Sequence, residues 1–166
     1  MNSDRWLFLV SAVAKSVVSI GSVRLTVSNP IRPELTPARF ESGVRPPVEV
    51  VSHLKWLLQK AILGQDVFLI GVPGALRSEI VLRYLELCNR EYEYLVVTRD
   101  TTEADIKQRR EIRSGNAFYT DLCAVRAALN GRVLVIDGVE KAERNVLPIL
   151  NNLLENRSEF MPLGWT

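Results

Sequence analysis

Eight consecutive residues, Gly71, Val72, Pro73, Gly74, Ala75, Leu76, Arg77 and Ser78, have the types and spacing most able to do chemistry. They follow the apolar run Asp66-Val67-Phe68-Leu69-Ile70, and helical spacing opens behind them at Glu79-Ile80-Val81-Leu82. A strand, a glycine-containing loop and a helix in that order make an anion cradle. Backbone N–H groups of the loop and of the helix N-terminus point at a phosphate, and the helix dipole favours negative charge there. The complete phosphate-loop pattern is G-x-x-x-x-G-K-[ST]. Gly71 and Ser78 match it, while Leu76 stands at the second glycine and Arg77 at the lysine.

The second chemical signal is Val133-Leu134-Val135-Ile136-Asp137, four apolar residues ending in an acid. A carboxylate at the C-terminal end of a strand, beside a phosphate loop on a neighbouring strand, holds Mg²⁺ through water. Apolar strands ending in Asp are common, so the weight lies in the pairing of the two signals. Cys88 and Cys123 sit in apolar helical patterns and read as buried thiols. With the lone His53 they make no metal motif, and His53 reads as a structural residue of a helix.

These groups need elements to place them. Residues 22–27 alternate apolar and polar, as a half-buried strand does. Residues 30–47 hold five prolines and Gly43, so they read as an extended linker. Helical spacing runs over 48–60 through Val51, Leu54, Leu57 and Leu58, and Leu63-Gly64-Gln65 turns the chain into a strand at 67–70. An amphipathic helix is expected over 78–89 and a strand over 92–97. A helix starts near Thr102 as cap, and another runs over 121–129 to a stop at Asn130-Gly131. The continuous apolar run 133–136 suits a parallel strand covered on both faces, and 144–156 reads as a last helix. Strands alternating with helices give an α/β fold with a mainly parallel sheet.

The chain has 166 residues, 47% hydrophobic and 24% charged, which is ordinary for one globular domain. Its formal net charge of +2 gives no field that points to nucleic acid or membrane lipid. The basic cluster Lys107-Gln108-Arg109-Arg110-Glu111-Ile112-Arg113 reads as a solvated loop or helix face, diluted by Glu111 and Asp105. The apolar run from Trp6 ends at Lys15, too short to span a bilayer. Between Asp4 and Glu34 the chain has no acid, while Lys15, Arg24 and Arg32 are basic and Ser recurs. An organelle transit segment is the first reading of that stretch, an ordinary buried strand or helix the second, and a secretory signal the third.

Taken together, these residues resemble the AAA+ ATPases of the MoxR and dynein-related branch. The resemblance covers residues 53–157 and rests on long strings: Leu63-Gly64-Gln65-Asp66-Val67-Phe68-Leu69-Ile70-Gly71, Arg99-Asp100-Thr101-Thr102-Glu103, residues 121–131, and Glu140-Lys141-Ala142-Glu143-Arg144-Asn145-Val146-Leu147-Pro148. It implies a P-loop NTPase core with ATP and Mg²⁺ as cofactors. Residues 66–78 look like the Walker A strand and loop, and 133–137 like Walker B. Gly71, Gly74 and the loop backbone would cradle phosphates, Ser78 would give its hydroxyl to Mg²⁺, and Asp137 would hold that ion's water shell. The adenine side would lie near Ile62-Leu63-Gly64. Three departures matter. Leu76 replaces a glycine that lets the backbone come close, so its Cβ is expected to force the loop open. Arg77 keeps the charge of the lysine but is bulkier and forked. Gly138 stands where the branch has its catalytic Glu, leaving no carboxylate at that position to orient the attacking water. Glu140 would substitute only if the backbone turned it inward.

The resemblance also divides the chain: an N-terminal segment and linker over 1–47, a partial AAA+ domain over 48–157, and a divergent tail over 158–166. The strand carrying the sensor residue, the arginine finger and the helical lid find no match, so the chain reads as a truncated product of a larger protein, cut after the Walker B strand and its helix. Such a sheet would expose apolar edges. The function that follows is an ATP-binding module whose altered motifs leave hydrolysis by this chain alone in doubt, acting in a ring with other AAA+ modules or protomers. The alternative is a structural or protein-interaction remnant that binds no nucleotide. The transit reading places it in the mitochondrion, and otherwise the cytoplasm is expected.

Overall fold

The computed structural model describes residues 16–38, 40, 46–72, 74–144, 146, 148–149 and 151. The chain divides into two compact units, one ending at Glu91 and the other beginning at Tyr92.

In the first unit, β1 (Ser16–Ile20) and β2 (Val23–Val27) form an antiparallel hairpin with Ile20 opposite Val23 and Ser16 opposite Val27. Gly21, at φ +60°, makes the tight turn. Residues Val18, Ile20, Val23 and Val27 share the buried face. They pack with Val50, Leu54, Leu57 and Leu58 of α1 (Val48–Ile62), whose spacing puts all four on one stripe. Ile80 and Cys88 join this core from α2 (Ala75–Leu87) and its C-terminal cap. β1 falls in the stretch read first as a transit segment and second as an ordinary buried strand or helix, and it supplies Val18 and Ile20 to the core. The stretch read as a linker is tied down in its described part. The Arg32 N–H donates to Glu91 Oε1 (2.8 Å), the Phe40 N–H donates to Glu86 Oε2 (3.3 Å), and the Arg83 guanidinium lies 4.2 Å over the Phe40 ring. His53 is an exposed residue of α1.

Two further expectations are corrected in this unit. The strand expected over 67–70 is not formed, and residues 65–71 have no regular secondary structure. Apolar, β-branched residues suit a strand, but a strand needs a neighbour for its N–H and C=O groups. No described strand ladders with these residues. Val67 packs on the core, whereas Phe68, Ile70 and Val72 are 71%, 84% and 86% exposed. The helix expected from Ser78 begins three residues earlier, at Ala75, so Leu76, Arg77 and Ser78 lie in its opening turn.

The second unit is built on a parallel pair, β3 (Tyr92–Val96) and β6 (Val133–Asp137), with Tyr94 opposite Val135 and Val96 opposite Asp137. Of the three two-stranded ladders among the described residues this one alone is parallel, so the parallel sheet is narrower than expected. The core of this unit packs Leu95 and Val97 with Ile106, Ala124 and Val146, and Leu134 and Ile136 lie against it. Tyr94 and Val96 are exposed, so β3 is covered on one face and β6 is only half-buried, not covered on both. The α4 helix (Cys123–Asn130) stops as expected at Gly131, which takes the left-handed conformation at φ 64°. The basic cluster is neither loop nor helix. It forms β4 (Gln108–Arg113), paired antiparallel with β5 (Asn116–Asp121) through a turn in which Ser114 (φ 51°) and Gly115 (φ 81°) are both left-handed. That pair of positive φ values is the two-residue hairpin turn whose twist matches the strands. Residues 148, 149 and 151 are helical; the rest of the helix expected over 144–156, the tail 158–166 and residues 1–15 lie wholly or mostly outside the described residues.

Both cysteines behave as packed thiols. Burial pushes Cys88 up to about 12 and raises Cys123 as well, so neither supplies thiolate at neutral pH. The expected cap at Thr102 is present. The short helix α3 (Glu103–Ile106) starts where the Asp105 carboxylate accepts both the Thr102 N–H (2.9 Å) and the Thr102 hydroxyl (2.7 Å), which hold Asp105 below the usual carboxylate range. Replacing Thr102 with Ala removes the hydroxyl donor and is expected to cost about 0.5–1 kcal/mol, read as a lower urea midpoint at unchanged m-value.

Candidate functional site

The expected phosphate loop lies wholly in the first unit. Gly74 caps α2 without a side-chain hydrogen bond, and the first turn of α2 holds no acid. The opening N–H groups of this 13-residue helix have no intrahelical partner by geometry, so this end favours an anion. A Cβ built on Gly74 meets nothing within 4 Å, so packing within the protein does not demand glycine there. Leu76 is 57% exposed: its side chain points to solvent, and its Cβ is accommodated by the helix. The Arg77 stem lies against the loop entrance, with Cδ 3.6 Å from the position of a Cβ on Gly71. Ala75 and Ser78 are exposed, and Pro73 lies outside the described residues. Ile62 and Leu63, on the expected adenine side, line an open groove with Trp56, Lys60, Val23 and Arg24.

The expected metal carboxylate lies in the second unit. Asp137 ends β6 with its side chain exposed, and its Oδ2 accepts a hydrogen bond from the Tyr94 hydroxyl at 2.8 Å. Its backbone carbonyl accepts the Val97 N–H at 2.8 Å, which continues the ladder past the last β3 residue. The chain then turns at Gly138, buried and left-handed at φ 81°, into a 3₁₀ turn over Val139–Lys141. A Cβ on Gly138 would sit 2.7 Å from the Val97 carbonyl oxygen. Real Cβ atoms do not approach backbone oxygen so closely, so the turn is built on glycine and has no place for a glutamate. Glu140, the candidate substitute, is exposed in the 3₁₀ turn.

Sequence reasoning missed two features here. Tyr94 falls in the strand expected over 92–97, but its link to Asp137 depends on the register of β3 against β6, which no local pattern encodes. The steric closure at Gly138 likewise depends on Val97, 41 positions back in the numbering of the pair. The donor chemistry suits the group expected. A serine hydroxyl and a carboxylate are hard oxygen ligands, and Mg²⁺ keeps most of its waters and needs no all-protein cage. No cluster of three or more His, Cys, Asp or Glu that could hold a metal occurs among the described residues. Among the same residues no helix is long and apolar enough to cross a membrane.

Residues 66–165 match the family described as AAA domain (dynein-related subfamily). The chain belongs to the dynein-related AAA family. That membership carries the α/β P-loop NTPase fold, to which the parallel β3–β6 pair and its helices conform. The chain is similar to the von Willebrand factor A domain-containing protein 8 of Mus musculus, 61% identical over 140 residues. The alignment takes in 84% of this chain and 7% of that protein, so the chain spans a small part of the relative it matches. No solved structure matches it.

Proposed function

We propose that this chain is an ATP-binding module of the dynein-related AAA family that holds Mg²⁺-nucleotide without turning it over. The observation that carries the second half is the turn after Asp137: glycine is required at 138 both by its φ of +81° and by the 2.7 Å approach to the Val97 carbonyl. The family match and the uncapped N-terminus of α2 support the first half. In this reading the backbone of residues 71–78 takes the phosphates, with Gly71 and Gly74 leaving the main chain bare. Arg77 contributes charge and Ser78 a hydroxyl, and Asp137 accepts from metal-bound water. Mg²⁺, when bound, neutralises phosphate charge. Nothing at 138 orients a water for attack, so bound nucleotide persists. Such a module serves a ring of AAA modules or protomers as a fixed structural or regulatory element, and a mitochondrial location goes with the acid-poor N-terminal stretch.

A second reading has a specific observation in its favour. Phe68, Ile70 and Val72 are exposed, and the segment leading into the loop is unladdered, so the loop entrance lacks the strand that would stiffen it. A chain of that kind would serve protein contacts alone. Titration with a fluorescent ATP analogue, with and without Mg²⁺, separates the two. The expected result is saturable binding that Mg²⁺ strengthens, with the strengthening lost in Asp137→Ala. A folded chain that does not bind the analogue establishes the second reading.

A further inference from the structure

Parallel pairing puts Tyr94 opposite Val135 and Asp137 opposite Val96. Tyr94 and Asp137 are therefore diagonal neighbours on the same face of the β3–β6 pair, a separation that a long aromatic side chain spans. Glu93, Leu95 and Val97 turn to the other face and are buried there. Tyr94 is 40% exposed, so the core does not require an aromatic at this position. Its hydroxyl reaches along the strand and donates to Asp137 Oδ2 at 2.8 Å.

An aspartate at an exposed strand end rotates about two side-chain torsions and spends much of its time misdirected. A donor fixed on Oδ2 removes that freedom and leaves Oδ1 to accept from water. We propose that Tyr94 is a positioning residue that holds the Asp137 carboxylate in the orientation needed for the water shell of nucleotide-bound Mg²⁺. The proposal rests on the role given to Asp137 above. Partners that orient a ligand commonly carry a measurable share of metal affinity; this one is partly solvated, which places the effect at the low end.

The test uses the whole 166-residue chain as wild type, Tyr94→Phe, Asp137→Ala and the double variant. Each is titrated with a fluorescent ATP analogue in EDTA, then with Mg²⁺ at fixed analogue, and far-UV circular dichroism checks the fold. Tyr94→Phe is expected to bind the Mg²⁺-free analogue as wild type does and to need about threefold to tenfold more Mg²⁺ for half-maximal strengthening. In the Asp137→Ala background, Tyr94→Phe is expected to change nothing further, because the two act as one unit. A wild-type Mg²⁺ requirement in Tyr94→Phe, with Asp137→Ala still defective, overturns the positioning role and leaves the Asp137 assignment standing. An equal loss of Mg²⁺-free and Mg²⁺-dependent binding in Tyr94→Phe shows a structural role and also overturns it. A wild-type Mg²⁺ response in Asp137→Ala, or no binding by the wild-type chain, overturns the nucleotide reading and the Tyr94 role with it.

Discussion

Placing glutamate at position 138 is expected to lower the melting temperature of the chain and to yield no ATP turnover. Gly138 sits at φ +81°, and the Cβ it lacks would lie 2.7 Å from the Val97 carbonyl oxygen. Left-handed backbone costs an L-residue about 1–2 kcal/mol. Val97 is not free to retreat, because its N–H is bonded to the Asp137 carbonyl at 2.8 Å and its side chain is fully buried. Relieving the clash sacrifices that hydrogen bond, a further loss of about 0.5–1.5 kcal/mol. The total of about 1.5–3.5 kcal/mol corresponds to a fall of roughly 3–14 °C for a chain of this size. Gly131 provides the control. It is also left-handed, at φ +64°, but a Cβ there meets nothing within 4 Å. Gly131→Ala therefore carries the backbone cost alone and is expected to melt higher than Gly138→Ala. Thermal melts of the four proteins, with single-turnover ATP hydrolysis, decide the matter. A Gly138→Glu chain that melts like wild type and hydrolyses ATP would refute the non-hydrolysing assignment.

Removing the carboxylate of Glu93 is expected to cost the second unit about 3–5 kcal/mol, the usual penalty for breaking a buried ion pair from one side. Glu93 lies on the packed face of β3, and its side chain is 9% exposed. It accepts from Arg126 at 2.7 Å and from Arg132 at 2.7 Å, and the Arg132 side chain is only 4% exposed. Arg126 belongs to α4, and Arg132 lies just before β6. One carboxylate thus joins β3 to α4 and to the entry of β6. Glu93→Ala leaves the Arg132 guanidinium buried without that carboxylate. Since whole domains are stable by about 5–15 kcal/mol, partial unfolding of this unit at 37 °C is expected. Glu93→Leu combined with Arg132→Met should recover much of the loss, because well-packed apolar residues replace a buried pair at little cost. Urea unfolding of the single and double variants measures both effects. If Glu93→Ala unfolds at the wild-type midpoint, the cluster has no stabilising role.

The same cluster sets an acid limit. Hydrogen bonding from Arg126 and then from Arg132, with the charges of both, holds Glu93 below the usual glutamate range, although burial pushes the other way. A carboxyl lowered in the folded state contributes stability that is complete above its unfolded value of about 4.3 and is lost as pH falls through the lowered folded value. Wild type should therefore lose stability steeply below about pH 4, and Glu93→Gln should show a flatter profile there.

Local signals proved legible wherever a short stretch of chain contained the whole cause. Thr102 with Asp105 marked a helix start, Gly131 marked a stop, and the apolar stripe through Leu54, Leu57 and Leu58 marked α1. The apolar run 133–136 and its terminal Asp137 announced β6 and its acid. The Ser114-Gly115 turn is also a local cause, but the run of charges in β4 leaves no apolar–polar alternation to mark a strand. Reading residues 67–70 as a strand failed for a different reason. Their composition suits a strand, yet ladder hydrogen bonds come from a neighbour, and composition says nothing about whether one is there.

By itself, then, the sequence determined the family, and it singled out residues 71–78, the acid at 137 and the glycine at 138 as candidates, because each is a matter of which residue types stand at which spacing. Tertiary structure alone decided that Tyr94 grips Asp137, that Glu93 serves two arginines, and that Gly138 is irreplaceable rather than merely altered. Each of these depends on strand register and on the approach of residues distant in sequence. The 2.7 Å that would separate a Cβ at 138 from the Val97 carbonyl oxygen leaves no trace in the residues between them.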